Sequence, residues 1–366
     1  MAETNKWMSM MLKDEKNVKA SEVVVKPRVQ FSSPSLNWAF SGGLTTGYST
    51  VLYGPEGSGK SLISMMAIGS LHQRDPEALA VLISTEMRAP NPDRLKALGV
   101  DPDRLVIREV NTLHDVFDWI ASPDEKFTNS DGSKGSPGLR FMLEQGAPFK
   151  GLVIDSIKGI QGPKEQAAES VEKDFMGDIS KYLNPSLRSL LPIIRKYDIL
   201  TLLVQQVNMN MNPDEVKYQN KKWIVPSGQA LKHFAECMAL VERVESKDSK
   251  IFDETMSSIR ELPVQRGHTV RVRVDKANLD NPFREAEFQI DYQKGVVNTG
   301  MEVAKLAANL GVIYHPLNDK GAPIAAQWVF GDKKWVGFAN AVAEIESSPE
   351  LQRKLVSAIY DLDKKS

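Results

Sequence analysis

The sequence predicts an α/β fold, a largely parallel sheet covered by helices, and three features predict it. Short apolar runs at 50–54, 79–84, 104–110, 150–155 and 199–206 alternate with helical stretches between about residues 36 and 300. Such alternation marks strands joined by crossover helices. The first run, Thr50 to Tyr53, feeds a glycine-rich turn and then an apolar helical stretch from Leu62 to His72. After about residue 301 the pattern becomes a helix, short strands around Trp328 and Trp335, and a helix from Pro349, which reads as a small second α/β domain. At 366 residues the chain is long enough for such a division. The expected units are an N-terminal element and linker (1–35), a core (36–300) and a C-terminal domain (301–366).

Residues 4–16 suit a short helix whose Trp7, Met8, Met10, Met11 and Leu12 make an apolar side that needs something to pack on. Residues 17–35 are polar, contain proline and read as a linker. The stretch 122–149 reads as an inserted loop, and 207–228 as a long irregular one; loops of that length in a compact domain are functional or disordered. Hydrophobic residues make up 42% and charged residues 25%, with a formal charge of −1. That balance gives no bulk attraction to nucleic acid, so any such contact must be local. Cys237 is the only cysteine, which excludes intramolecular disulfides and cysteine-based zinc sites. The first twenty residues lack the apolar core of a signal peptide, and no segment approaches the roughly 20 apolar residues of a membrane span. The expectation is a soluble cytoplasmic protein without a membrane partner.

Gly54-Pro55-Glu56-Gly57-Ser58-Gly59-Lys60-Ser61 fits the eight-position phosphate-loop pattern, between a strand and a helix that begins near Leu62. Glycines let successive backbone N–H groups curl around phosphates, and a helix N-terminus favours negative charge. Lys60 then reaches the β- and γ-phosphates of ATP, and the Ser61 hydroxyl holds Mg²⁺. Asp155 ends the run Gly151 to Ile154, where a carboxylate at the sheet's carboxyl edge stands beside the metal. Glu86 ends the run Leu79 to Thr85 and can act as base toward the water that attacks the γ-phosphate. Gln206 ends a third run, where an amide can sense the γ-phosphate by hydrogen bonding. From spacing alone, a solvated strand-end charge at Glu86 and a plain strand-end amide at Gln206 are equally good readings.

The string LNWAFSGGLTTGYSTVLYGPEGSGKS (36–61), Leu98-Gly99-Val100-Asp101-Pro102, Gln229-Ala230-Leu231-Lys232 and Asn281-Pro282-Phe283-Arg284-Glu285-Ala286-Glu287-Phe288-Gln289-Ile290 resemble segments of RecA-type recombinases at corresponding distances. The resemblance spans roughly residues 35–360 and is nearest to the UvsX-type recombinases of bacteriophages. It implies a RecA-type ATPase core with a short N-terminal polymerisation helix. It also implies ATP hydrolysis coupled to strand exchange between single-stranded DNA and a homologous duplex, in a head-to-tail filament. Single-strand-binding and mediator proteins are further partners such a filament can have.

Residue by residue, the resemblance makes Glu86 the catalytic glutamate and Gln206 the link between nucleotide and DNA. It places Leu62 with the phosphate-loop contacts, Arg94 at the adenine, and Lys232 and Lys276 at the neighbouring subunit's nucleotide. The first DNA-facing loop falls at 164–174, followed by Met176 and Gly177. The second falls at 207–228, with Asn208, Met209, Asn210, Lys217, Lys221, Lys222, Ser227 and Gly228. Lys181 and Arg188 stand where the family contacts primary-strand phosphates. From the residues themselves, Arg266, Arg271, Arg273 and Lys276 form a second basic stretch, with Arg271 and Arg273 expected to meet DNA, and a solvated charged face is the other reading of each basic cluster. Part of this follows from residues alone. Ile179 to Tyr197 holds four basic and no acidic residues, and Arg271 and Arg273 share one face of a strand.

There are departures. Arg94 stands where the family has a tyrosine, Asn208-Met209-Asn210 where it is basic, His233 for an interface phenylalanine and Asn278 for an interface lysine. Two other function classes remain: a ring-forming helicase or branch-migration ATPase on the same fold, and a nucleotide-regulated filament protein without strand exchange.

Overall fold

The structure, a computed structural model, describes residues 2–14, 17–24, 26–88, 90–166, 178–219, 222–226, 228–246, 249–253 and 264–363. Its centre is a ten-stranded sheet. In order across the sheet the strands are Gly295–Val297, Glu285–Asp291, Gln265–Ala277, Cys237–Arg243, Ser49–Gly54, Leu200–Gln206, Phe149–Asp155, Leu79–Ser84 and Leu105–Glu109; Lys250–Phe252 pairs on Gln265–Ala277. The six from Cys237–Arg243 to Leu105–Glu109 run parallel. The others extend the sheet antiparallel. The five apolar runs predicted as strands all lie in the parallel part. The extension has no such run, because its residues alternate: Val270, Val272 and Val274 are buried while Arg271 and Arg273 between them are not.

The period of two also divides the core. Leu52, Ala80 and Leu82 belong to one apolar cluster, with the helix Lys60–Arg74 and with Val270 and Phe288. Val51, Tyr53, Val81 and Ile83 face a second cluster, where Leu183, Leu187, Leu190 and Ile194 line one stripe of the helix Asp178–Tyr197. Two prolines, Pro185 and Pro192, lie inside that helix.

Residues 28–35, read from sequence as the end of a linker, are part of this core. Arg28–Val29 pairs with Leu44–Thr45, and Val29 and Phe31 are buried. The alternation there is too short to be seen in sequence, and the pairing is nonlocal. Ser33 caps the helix Pro34–Ala39, its Oγ accepting from Leu36 N at 3.1 Å, with proline at the first turn. Such a cap contributes about 1 kcal/mol. The same hydroxyl donates to Glu302 Oε1 at 2.6 Å, and Ser35 N donates there too, at 2.6 Å. Glu302 sits on the helix Thr299–Asn309 of the C-terminal unit. Burial raises its carboxyl to about 7 against these hydrogen bonds.

In the C-terminal stretch a helix, a hairpin of Gln327–Phe330 and Lys333–Val336 and the helix Pro349–Asp363 follow in the expected order, but a further helix, Phe338–Ser347, that the sequence reading did not include stands before the last one. The stretch's own cluster includes Val303, Ala307, Trp335, Ile345 and Leu355, with Trp38 of the core packed against it. The insertion at 122–149 contains a helix, Leu139–Glu144, and is tied down by Trp119 Nε1 donating to Pro137 O at 3.0 Å. Among the described residues no helix is long and apolar enough to cross a membrane.

Candidate functional site

The phosphate-loop pattern sits at the carboxyl end of the strand Ser49–Gly54, where the chain turns into the helix Lys60–Arg74. Gly54 is needed there for space, since a Cβ would stand 2.0 Å from Val241 O on the adjacent strand. Gly59, the N-cap, has φ 106°, which a larger residue adopts only with strain. Lys60 is buried, its Nζ donating to Gly54 O at 2.9 Å and Pro55 O at 2.6 Å. Burial pulls the ammonium down to about 8, opposed by the nearby carboxylates of Asp155, Glu86 and Glu56. Ser61 is exposed beside it, whereas the Leu62 side chain turns into the core, so only its backbone faces the loop.

Three strand ends converge on this loop. Asp155 ends Phe149–Asp155, and its carboxylate bonds the Ser61 hydroxyl. Burial, followed by the repulsion of Glu86, holds the Asp155 carboxyl above the usual range despite Ser61 and Lys60. A serine hydroxyl and a carboxylate in contact beside a buried ammonium are a donor set that suits Mg²⁺ and phosphate, a hard cation with oxygen ligands. Glu86 follows Leu79–Ser84. Its Oε1 accepts from Gln206 Nε2 at 2.6 Å and from Ser156 Oγ at 3.2 Å, and Arg88 Nη1 lies 3.6 Å from Oε2. Glu86 and Gln206, with equal alternative readings by spacing, are therefore partners, 120 residues apart in the chain.

Ser156 and Thr85 were not singled out in the sequence, yet they hold these ends in place. Thr85 Oγ1 donates to Ser156 O at 2.7 Å and accepts from Ser156 N at 2.9 Å. The Asp155–Ser156 peptide is cis. Their only signal is position, each adjoining a strand-end carboxylate.

Gln206 also roots the segment 207–228. In place of an irregular loop, Asn208–Met209 pairs antiparallel with Trp223–Ile224, around the helix Pro213–Gln219. Met209, Met211 and Tyr218 are exposed, as are Asn208, Lys217 and Lys222. The Lys217 ammonium lies 5.1 Å from the Tyr218 ring centre and that of Lys222 4.8 Å from the Trp223 ring centre. Asn210, expected among the DNA contacts, is instead buried, donating through Nδ2 to Glu215 Oε2 at 3.0 Å and accepting from Asn212 N at 3.1 Å. It shapes the turn. Gly228 starts the helix Gly228–Phe234. Lys221, Ser227, Met176, Gly177 and most of 164–174 lie outside the described residues.

Lys181 and Arg188 are exposed on the helix Asp178–Tyr197, seven residues apart and so on one stripe, which Arg195 continues. Arg195 lies 5.1 Å over the Tyr48 ring. Arg271 and Arg273 do share a face, but neither is a free cation. Arg271 meets Glu287 through Nε at 2.7 Å and Nη2 at 2.6 Å, while Arg273 Nε meets Asp275 at 2.6 Å. The sequence hides this because Glu287 faces Arg271 only through the antiparallel register. Lys276 Nζ donates to Lys232 O at 2.6 Å and Ala235 O at 2.5 Å, closing the end of the helix Gly228–Phe234, and Lys232 is exposed beside it. Arg94 is exposed on the helix Pro92–Ala97, its guanidinium 6.0 Å from the ring centre of Tyr292. Tyr292 escaped the sequence reading; it directly follows the Glu285–Asp291 strand.

Residues 139–297 match the RecA N-terminal domain family. The chain is 27% identical to the RecA protein of Aquifex pyrophilus over 297 residues, 81% of this chain and 74% of that one. It is 26% identical to the RecA protein of Aquifex aeolicus (strain VF5) over 271 residues, covering 74% and 67%. A solved structure of a RadB recombinase aligns over 73% of this chain and 98% of its own, at 17% identity and a TM-score of 0.46. The sequence matches show a likeness to RecA proteins over most of the chain, with the family match itself confined to residues 139–297.

Proposed function

We propose that this RecA-related chain is an ATP-dependent DNA strand-exchange recombinase that works as a helical filament on single-stranded DNA, in the manner of the phage UvsX type. The observation that carries this reading is the Gln206–Glu86 hydrogen bond. It joins the strand-end carboxylate facing the phosphate loop to the root of an exposed hairpin bearing Lys217, Lys222, Tyr218 and Trp223. One contact then couples a nucleotide's γ-phosphate to a surface suited to phosphates and stacked bases. In this reading the loop 54–61 and Lys60 hold the ATP phosphates, and Ser61 with Asp155 would hold Mg²⁺, whose charge offsets that of the phosphates. Glu86 orients water and accepts its proton. Arg94 and Tyr292 offer two π faces to the adenine. Lys232 and Lys276 face the next protomer's nucleotide, and Arg271 and Arg273 meet an incoming duplex once exchanged from Glu287 and Asp275.

Negative-stain microscopy with single-stranded DNA and a non-hydrolysable ATP analogue tests the reading, together with strand exchange between a circular single strand and a linear duplex. An open helix and joint molecules are expected. A closed ring would favour the helicase alternative, and filaments without joint molecules the assembly protein.

Two further outcomes follow from the site. Below about pH 8 Lys60 is charged and matched to phosphate, whereas above it the free protein must take up a proton to bind. ATP affinity should fall by about tenfold per pH unit above that point, with proton uptake measurable by calorimetry in two buffers. Stability has the opposite sign. The Lys60 value is depressed on folding from 10.5, so the unfolded chain binds more protons between about 8 and 10.5 and this group's contribution rises with pH there.

For DNA, Lys181→Ala and Arg188→Ala should each weaken single-strand binding alike for different sequences. Each should reduce the salt slope by about one. Unchanged slopes in both would return these residues to a plain solvated face.

A further inference from the structure

Glu242 has no part in the reading above, yet it ties the hairpin to the strand beside the phosphate loop. The strand Cys237–Arg243 runs parallel to Ser49–Gly54, and the carbonyl of Val241 closes against Gly54. Glu242, the next residue, faces the other side of the sheet, where the hairpin's return strand Trp223–Ile224 arrives. Its Oε1 accepts from Trp223 Nε1 at 2.8 Å and lies 3.9 Å from Lys222 Nζ. The cross-strand neighbour Arg271 is gripped through two nitrogens by Glu287, which leaves Glu242 to the hairpin. One carboxylate thus engages both an exposed ammonium and a half-buried indole. An ammonium is what a nucleic-acid phosphate would contact, and an indole is a stacking surface for a base.

We propose that Glu242 is a latch: its carboxylate stands in for a phosphate on the Lys222–Trp223 arm, and single-stranded DNA must displace it to engage the hairpin. Because Val241 touches Gly54 and Gln206 touches Glu86, the hairpin is held at both feet by residues next to the nucleotide site. The proposal rests on the reading of 207–228 as the DNA-facing segment. A simple structural anchor predicts the opposite sign, since loosening an anchor disorders the hairpin and weakens binding.

The test is fluorescence anisotropy of a labelled oligothymidylate with the full-length protein and a non-hydrolysable ATP analogue. Glu242→Gln keeps the shape and removes the charge. It should tighten binding by about three- to tenfold, the loss of one charge-assisted hydrogen bond to the competitor. Trp223→Phe, which removes the N–H but keeps an aromatic face, should also tighten it. The double variant should gain no more than the stronger single one, since both changes open the same contact. Glu245→Gln removes an equal charge from an exposed site three residues on and should leave affinity unchanged.

Unchanged or weaker binding by both Glu242→Gln and Trp223→Phe would overturn the latch, as would equal tightening by Glu245→Gln, which indicates a general field effect. Should Glu242→Gln fail to fold, as seen by thermal melting, Trp223→Phe decides alone. A wild-type protein that does not bind the oligonucleotide removes the DNA reading itself. A wild type that binds, with variants that do not tighten, removes only the latch.

Discussion

Glu86→Gln is expected to leave ATP bound and DNA filaments intact while slowing hydrolysis by about 10²- to 10⁴-fold, the usual contribution of a general base. The amide oxygen of glutamine can still accept from Gln206 Nε2 and Ser156 Oγ, so the contacts that hold the strand ends survive. Only the proton acceptor is lost. Lys60→Ala should act earlier. In the proposed reading it removes the ammonium that neutralises the phosphates, and nucleotide affinity should drop by about 10- to 100-fold, with filament formation following. Its melting temperature should not fall, because a buried ammonium carries a desolvation cost that alanine does not. Nucleotide binding measured with a fluorescent ATP analogue, beside single-turnover hydrolysis, separates the two variants. Hydrolysis by Glu86→Gln at close to the wild-type rate would remove Glu86 from the catalytic role.

The parts of this site that could be read from sequence are those set by local geometry. A glycine pattern between strand and helix fixes the backbone of 54–61 wherever the chain goes next. Asp155, Glu86 and Gln206 each end an apolar run, and parallel strands bring their carboxyl ends to one edge. What could not be read is pairing across the sheet. Nothing local says that Gln206 bonds Glu86 or that Trp223 bonds Glu242. The antiparallel register makes Arg271 and Glu287 neighbours, so an expected basic patch became a set of ion pairs. Strand Gln265–Ala277 alternates charge and valine, and lacks the continuous apolar run of a fully buried parallel strand. The hairpin within 207–228 was hidden for a further reason. Its strands are two residues each and enclose a helix, a pattern with no periodicity long enough to detect.

Deleting residues 1–16 should leave a folded chain that no longer forms filaments. The helix Ala2–Met11 leaves Trp7 63%, Met8 50%, Met10 51% and Met11 62% exposed. A tryptophan and three methionines on one short element form an apolar patch of the kind that marks an interaction site. Ordinary core packing would have buried them within the chain, so the deletion removes little intramolecular contact and the melting temperature should change little. A neighbouring protomer that covers them gains about 1 kcal/mol or more for each half-exposed side chain. Repeated head to tail, such a contact propagates as a helix when its rotation does not close a ring, as the proposed filament requires. If Lys232 and Lys276 serve the next protomer's nucleotide, the isolated truncated chain has only part of that site. DNA-stimulated hydrolysis should then fall far more than stability does, by about 10²-fold or more if the whole contribution of a positioned catalytic group is lost. Sedimentation with DNA and ATP analogue, set beside thermal melts, separates the possibilities. A truncated protein that melts early and still builds long filaments would sink the assembly role and return the helix to its own core.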